Sequence, residues 1–372
     1  MAVLPPNDPL ITQQWGLTAV RALQAWGYFP DQYLTSATAS PSRVKIAVLD
    51  TGVDCTHPDF MNAGGTSTDA AHGGQISWAA SEAVVPTTVP SPACQWQDDN
   101  GHGTLTAGAI AAATNNAAGI ASLGFPLQLI VFKVIDADGT SLDNVVAEGV
   151  RAAVSAGAQV ISISLAGPGY SQTLQNEIDA AWQHNVLVVA AAGNDDATLF
   201  TFPGDANHVL TVSATDTNNQ IAGFSNYGTW IKIAAPGANI QSTLPTYANA
   251  MGLNYGLASG TSMATSFVSA LAGLLYSIKP DLSAAAVAQR IQQTAQTPNA
   301  GWDQFIGYGL MNAAAALAGT PGTATLGSFT GQVVDASNNP IAGATVTAGS
   351  QSFTTVIDLR REHLPACSAS QT

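Results

Sequence analysis

Val44-Lys45-Ile46-Ala47-Val48-Leu49-Asp50-Thr51-Gly52 is an apolar run that stops on a carboxylate and a turn. It reads as a buried strand of a parallel sheet, because such strands are covered on both faces and lose the usual polar alternation. The same strand type recurs at 129–135, 160–164 and 186–191, with shorter ones at 209–214 and 231–234. Helical patterns fill the gaps at 103–114, 144–156 and 173–184, and helices at 261–278 and 283–295 close the body. Strands alternating with helices predict an α/β fold, a doubly wound, mostly parallel sheet with helices on both faces. Ligands of such sheets bind beyond the carboxyl ends of the strands, where Asp50, Ser164 and the Ala192-Gly193-Asn194 segment fall.

The flanks of this core read less regularly. Residues 10–30 hold an amphipathic stretch around Val20 to Trp26, expected to be a short helix on the body. Residues 61–98 are rich in Gly, Ser, Thr, Pro and Ala without a period, as an irregular surface excursion would be. The main domain is expected to span 1–318, and 319–327 reads as a linker. Residues 328–356 read as two strands around Asn338-Asn339-Pro340, too short for an independent β domain and so a truncated piece of a β-sandwich. Charge gathers in 357–372, which reads as a disordered tail or a cloning artefact.

Composition narrows the function classes. The chain has 372 residues, net charge −14 and only ten Lys plus Arg, which argues against a nucleic-acid partner. Charged residues make up 9%, against roughly 25% in an average domain. No uninterrupted apolar run reaches the ~18 residues of a membrane helix, so no membrane partner is expected. Three cysteines are too few for a disulfide scaffold.

Three polar residues carry candidate chemistry. Ser262 lies in Gly260-Thr261-Ser262-Met263-Ala264-Thr265, where Gly260 is expected to permit a turn and Thr261 to cap the helix that follows. Ser262 then sits at the positive end of the helix dipole. Taken alone, a serine there is more often a cap than a nucleophile, Asp50 is a strand-end carboxylate, and His102 a satisfied core histidine. Together, in the order Asp…His…Ser, they match one of the known triad orders. The surrounding motifs are Asp50-Thr51-Gly52-Val53-Asp54, His57-Pro58-Asp59, Asp99-Asn100-Gly101-His102-Gly103-Thr104, Ser164-Leu165, Ala191-Ala192-Gly193-Asn194 and Ala235-Pro236-Gly237. Over about residues 7–315 the chain resembles the subtilisin-like serine proteases, the subtilases, and within them the thermitase-like branch.

The resemblance implies roles. Ser262 would be the nucleophile, His102 its base and then the acid toward the leaving amine, and Asp50 the group that holds the imidazole in one tautomer. Asn194 and the Ser262 N–H would bind the oxyanion. Gly139, Thr140 and Ser141 on one side, and Ser164, Leu165 and Ala166 on the other, would sandwich a peptide as an added strand, which favours broad specificity. Ala192 and Gly193 would wall the first specificity pocket for large apolar residues. Asp195 at its mouth would attract Lys or Arg, unless it is simply a solvated loop carboxylate. The implied cofactor is structural Ca²⁺, bound by side chains of Asp8, Asp59 and Asn116 and carbonyls of Ala113, Ala118 and Ile120. Lys232 falls where a second, weaker cation site carries a carboxylate, so an ammonium takes that ion's place.

The chain departs from the family in several places. Ser266 replaces a proline four residues after the nucleophile, which is expected to relax the first helical turn and shift Ser262 slightly, leaving hydrolysis in place with a lower rate or more acyl transfer to amines. Ala166 replaces a glycine, and Leu105 a histidine. The excursion at 61–98 is longer than in compact members. Cys55 and Cys94 bracket it, and a disulfide between them is expected, with free thiols as the alternative. Cys367 is expected to be unpaired. Asn7-Asp8-Pro9 resembles a mature start, so the chain reads as the mature, monomeric form of an exported precursor whose signal peptide and prodomain are cleaved. The implied function is a secreted endopeptidase acting on proteins and peptides. The alternatives are a protease biased toward acyl transfer and a catalytically silent binding or surface-attachment module.

Overall fold

The computed structural model describes residues 5–29, 44–62, 65–89, 91, 94–249, 251–296, 301–318, 345–348 and 351–354. The chain divides into two compact units, Met1–Gly319 and Thr320–Thr372. The larger is built on a parallel sheet of strands β1 (Lys45–Asp50), β2 (Glu82–Ala83), β3 (Gln128–Lys133), β4 (Val160–Ile163), β5 (Leu187–Ala191), β6 (Val209–Thr215) and β7 (Ile233–Pro236). Among the described residues its order is β2-β3-β1-β4-β5-β6-β7, every pair parallel.

The helices of this unit are α1 (Trp15–Ala19), α2 (Ala22–Trp26), α3 (His102–Ala111), α4 (Asp143–Ser155), α5 (Gln172–Gln183), α6 (Thr261–Ile278), α7 (Ala284–Gln293) and α8 (Ala313–Ala318). β1 illustrates how the sheet is covered on both faces. Ile46 and Val48 join the core shared with α3 and α6, while Ala47 and Leu49 join the core shared with α4 and α5. Helix α6 is long and apolar enough to span a membrane by length and composition, but it lies 89% buried inside the fold. Surrounded by α3 and the middle strands, it is packed on every side, and the hydroxyls it carries, such as Ser262, Ser266 and Ser269, find hydrogen-bond partners inside the fold.

Some expectations shift on contact with the structure. The stretch at 10–30 is two five-residue helices, broken where Arg21 takes φ 62. A two-stranded antiparallel hairpin, β8 (Ile240–Thr243) with β9 (Tyr255–Ala258), stands where no strand was expected. β8 is buried along its whole length, but its Gln241, Ser242 and Thr243 are polar and β9 contains Gly256, so neither strand shows an apolar run. The excursion at 61–98 contributes β2 to the sheet edge and short helical turns at Ala70–His72 and Trp78–Ala80, and a further such turn at Pro58–Phe60 precedes it. Cys55 and Cys94 are disulfide-bonded, which closes this segment.

In the smaller unit, strands β10 (Thr345–Ala348) and β11 (Gln351–Thr354) form an antiparallel hairpin, Thr345 opposite Thr354. The expected strand around Thr330, the turn at Asn338-Asn339-Pro340, the linker and the 357–372 tail lie outside the described residues.

Candidate active site

Asp50 ends β1 and is 1% exposed. One of its oxygens accepts from the Thr51 N–H at 2.8 Å and lies 2.7 Å from His102 Nδ1, and the other accepts from Thr106 Oγ1 at 3.0 Å. His102 opens α3, and its side chain is 27% exposed. The β1 turn and α3 approach so closely that a Cβ on Gly103 would run into the Gly52 carbonyl. Gly52 itself has φ 105, in the region that favours glycine. The two glycines are thus what bring aspartate and histidine together.

The loop before His102 is shaped by Asp98, a buried carboxylate that spacing alone did not flag. It accepts from Thr51 Oγ1 at 2.8 Å, from the N–H groups of Asn100 and Gly101, and from Thr104 N–H and Oγ1. Asp98-Asp99-Asn100-Gly101 has the composition of a side-chain-capped turn, which is the signal that could have found it. Burial disfavours the charged imidazole, but the charge and hydrogen bond of Asp50, with the Asp98 charge, outweigh it and hold the His102 pKa above the ordinary histidine value.

Ser262 occupies the second position of α6 and is 8% exposed. Its hydroxyl donates to the Ser164 carbonyl at 3.0 Å, and no hydrogen bond joins it to His102 in this state. Its own carbonyl accepts from Ser266 Oγ at 3.0 Å and Ser164 Oγ at 3.4 Å. Ser266 therefore lies in the second turn, not the first, and its hydroxyl ties that turn back to the nucleophile's carbonyl instead of relaxing it. Gly260 is extended, with φ 167, so it makes no glycine-only turn; the nearest atom to a Cβ there is Asn194 Nδ2 at 3.6 Å.

Thr261 does not cap α6 either. Its N–H and Oγ1 donate to Asn194 Oδ1 at 2.8 and 3.0 Å, and the Oγ1 accepts from the Gly193 N–H at 3.1 Å. A backbone N–H must meet an oxygen, so this contact fixes the Asn194 amide orientation. Nδ2 is turned the other way and has no acceptor among the described residues. Like the Ser262 N–H at the helix start, it is free to donate to a ligand oxygen.

A cleft of about 240 Å³ is lined by Gly139, Thr140 and Ser141 from one loop and Leu165, Ala166 and Gly167 from another, with Val146, Leu174 and Phe202 below. Ser164, next to Leu165 in the chain, does not line it and is instead bonded to Ser262. Ala192, Gly193 and Asp195 do not line this cleft. Ala192 and Gly193 are buried beside Thr261, and exposed Asp195 is held by Asn226, whose Oδ1 accepts its N–H at 2.8 Å.

The residues expected to hold calcium meet one another through a separate set of contacts. Asp8 accepts from Asn115 N–H at 2.8 Å and Asn116 N–H at 3.3 Å; Asp59 accepts from Ile120 N–H at 2.9 Å and Asn116 Nδ2 at 3.4 Å. Burial pushes Asp8 up to about 6 and Asp59 up to about 7, the Asp8 charge adding to the latter. The carbonyls of Ala113, Ala118 and Ile120 accept no hydrogen bond among the described residues. Two buried carboxylates, an amide and three unclaimed carbonyls form a hard-oxygen donor set of the kind calcium takes. No group of three or more His, Cys, Asp or Glu side chains placed to hold a metal ion occurs among the described residues. Lys232 is half-buried, and burial pulls its pKa down.

A serine at a helix start, a histidine beside a buried aspartate and two oriented N–H donors define the class of serine hydrolases that act through an acyl-enzyme. The match to known proteins is specific: the model of the subtilase family fits residues 42–309. Subtilisin BL of Lederbergia lenta is 37% identical over 302 residues, 81% of this chain and 97% of that protein. Thermitase of Thermoactinomyces vulgaris is 37% identical over 275 residues, 73% of this chain and 85% of the relative. A solved protease structure from Pseudoalteromonas arctica superposes with a TM-score of 0.71 at 29% identity, covering 85% of this chain and 99% of its own. The chain belongs to the subtilase family, and its activity is that of a serine endopeptidase.

Proposed function

We propose that the chain is an exported, calcium-stabilised endopeptidase that cleaves proteins broadly through an acyl-enzyme on Ser262. His102 takes the hydroxyl proton and returns it to the leaving amine, Asp50 orients and stabilises the imidazolium, and Asn194 Nδ2 with the Ser262 N–H binds the oxyanion. The observation that carries this reading is the 2.7 Å Asp50–His102 contact at the sheet's carboxyl edge, beside an Asn194 amide already turned to donate. The first step needs the Ser262 hydroxyl to leave the Ser164 carbonyl for His102. A substrate N–H that claims the carbonyl would release it.

Specificity is proposed to be broad, with a preference for large apolar residues before the scissile bond. The 139–141 and 164–166 segments offer backbone to the peptide, and backbone bonds ignore side-chain identity. The exposed Asp195 carboxylate would admit Lys or Arg as well. Chromogenic peptides ending in Phe, Leu and Arg test this. Phe and Leu should be turned over faster than Arg, and an exclusive Arg preference would overturn it.

Calcium is proposed at Asp8, Asp59 and Asn116 with the carbonyls of Ala113, Ala118 and Ile120, on the strength of those unclaimed carbonyls. The Cys55–Cys94 disulfide supports export to an oxidising compartment. A cleaved prodomain and a monomeric mature enzyme complete the proposal.

A further inference from the structure

Asp99 stands three residues before His102, yet none of the chemistry above uses it, and Lys133 at the end of β3 is equally unassigned. Both side chains are 0% exposed, and Lys133 Nζ lies 2.6 Å from Asp99 Oδ1. Nζ also donates to the Thr51 carbonyl at 2.8 Å and the Ile135 carbonyl at 2.9 Å. An ammonium has three protons, so all of them are spent. The three acceptors belong to three different segments: the turn after Asp50, the loop before His102, and the exit of β3 toward the 139–141 loop.

The other Asp99 oxygen accepts from Thr88 N–H at 2.7 Å and Thr88 Oγ1 at 3.1 Å, which brings the excursion into the same knot. The Lys133 backbone lies opposite Asp50 in the β1–β3 ladder, and its carbonyl accepts from the Val84 and Val85 N–H groups at 3.0 and 3.1 Å. The lysine is therefore tied to Asp50 through the backbone and to the His102 loop through the side chain.

A buried ion pair is poor evidence for stability, since an apolar pair of similar volume often does as well. What an apolar pair cannot do is fix three oxygen acceptors at set distances. We propose that Lys133 is a positioning residue which, with Asp99, clamps the turn after Asp50 to the loop carrying His102 and so sets the Asp50–His102 contact. Through Ile135 it holds the 139–141 segment in register with the same pair. This rests on the serine-protease reading of Asp50 and His102.

The test compares the parent, Asp99→Asn and the double variant Lys133→Met/Asp99→Asn in the full chain. Removing both partners together avoids leaving one charge buried alone. Two readouts are taken: kcat and KM on a short chromogenic peptide, per active site titrated with a sulfonyl fluoride, and the downfield proton resonance of His102 Nδ1–H recorded without substrate. The double variant is expected to lose at least tenfold in kcat with KM within about twofold, and its resonance should shift or vanish. Asp99→Asn should fall between the two. A folded double variant with parental kcat and resonance would overturn the clamp. If the double variant does not fold, Asp99→Asn decides alone, and a parental kcat and resonance there overturn it. A parent that shows the resonance but hydrolyses nothing sinks the protease reading instead, and the resonance comparison still judges the clamp.

Discussion

At Asp50 one carboxylate serves three donors, and only one of them is His102. Removing its charge while keeping its shape is therefore informative. Asp50→Asn should lower kcat by about 10⁴-fold, because the histidine is then held in the wrong tautomer. The pH profile carries a sign as well. His102 works as a base only when neutral, and its pKa is raised by Asp50, so activity is present above that pKa and lost as pH falls through it. Without the Asp50 charge the acid limb of kcat/KM should move to lower pH. A limb that stays in place would mean that the limb reports another group. Asn194→Ala should cost about 10²–10³ in kcat with little change in KM, a magnitude carried over from the matching asparagine of subtilisin, where it is already known. The residues proposed as the triad, and Asn194, stand out in the sequence because they sit in contiguous motifs. Asp98, Thr106 and Thr261 do not, because their hydrogen bonds to Thr51, Asp50 and Asn194 join residues tens of positions apart.

At the scale of elements, the strands and helices around the site were legible to within a few residues because buried parallel strands are nearly pure apolar runs. The β8–β9 hairpin was not, since its strands carry Gln241, Ser242 and Gly256, and what ties β8 to α3 is the Ser242 and Thr243 hydroxyls donating to the Leu105 and Thr104 carbonyls. The Ser266 contact is not legible for a similar reason: whether its hydroxyl turns outward or back to the Ser262 carbonyl depends on the helix, not on the motif. The excursion offers the cleanest test of an element. The Cys55–Cys94 bond spans 39 positions, and closing a loop of that size constrains the unfolded chain by roughly 4 kcal/mol in the entropy model. Replacing both cysteines by serine should lower the denaturation midpoint accordingly and leave titratable active sites in the folded fraction. Two extra thiols in the unfolded, unreduced parent would show that the bond is not formed.

For the whole molecule, the proposed calcium site joins the N-terminal segment at Asp8, the Pro58–Phe60 turn and the loop after α3, three parts of the chain that no sheet hydrogen bond connects. Chelation should therefore lower Tm, and added Ca²⁺ should restore it. Alanine at Asp59 should abolish the calcium-dependent part of the shift, and a Tm indifferent to chelator would remove the ion from the proposal. The most direct test of the central claim is covalent. A sulfonyl fluoride should modify the protein at one site, with the adduct mapped to Ser262 and hydrolysis lost in proportion. Ser262→Ala should resist both labelling and turnover. Label found elsewhere, or hydrolysis that survives in Ser262→Ala, would contradict Ser262 as the nucleophile.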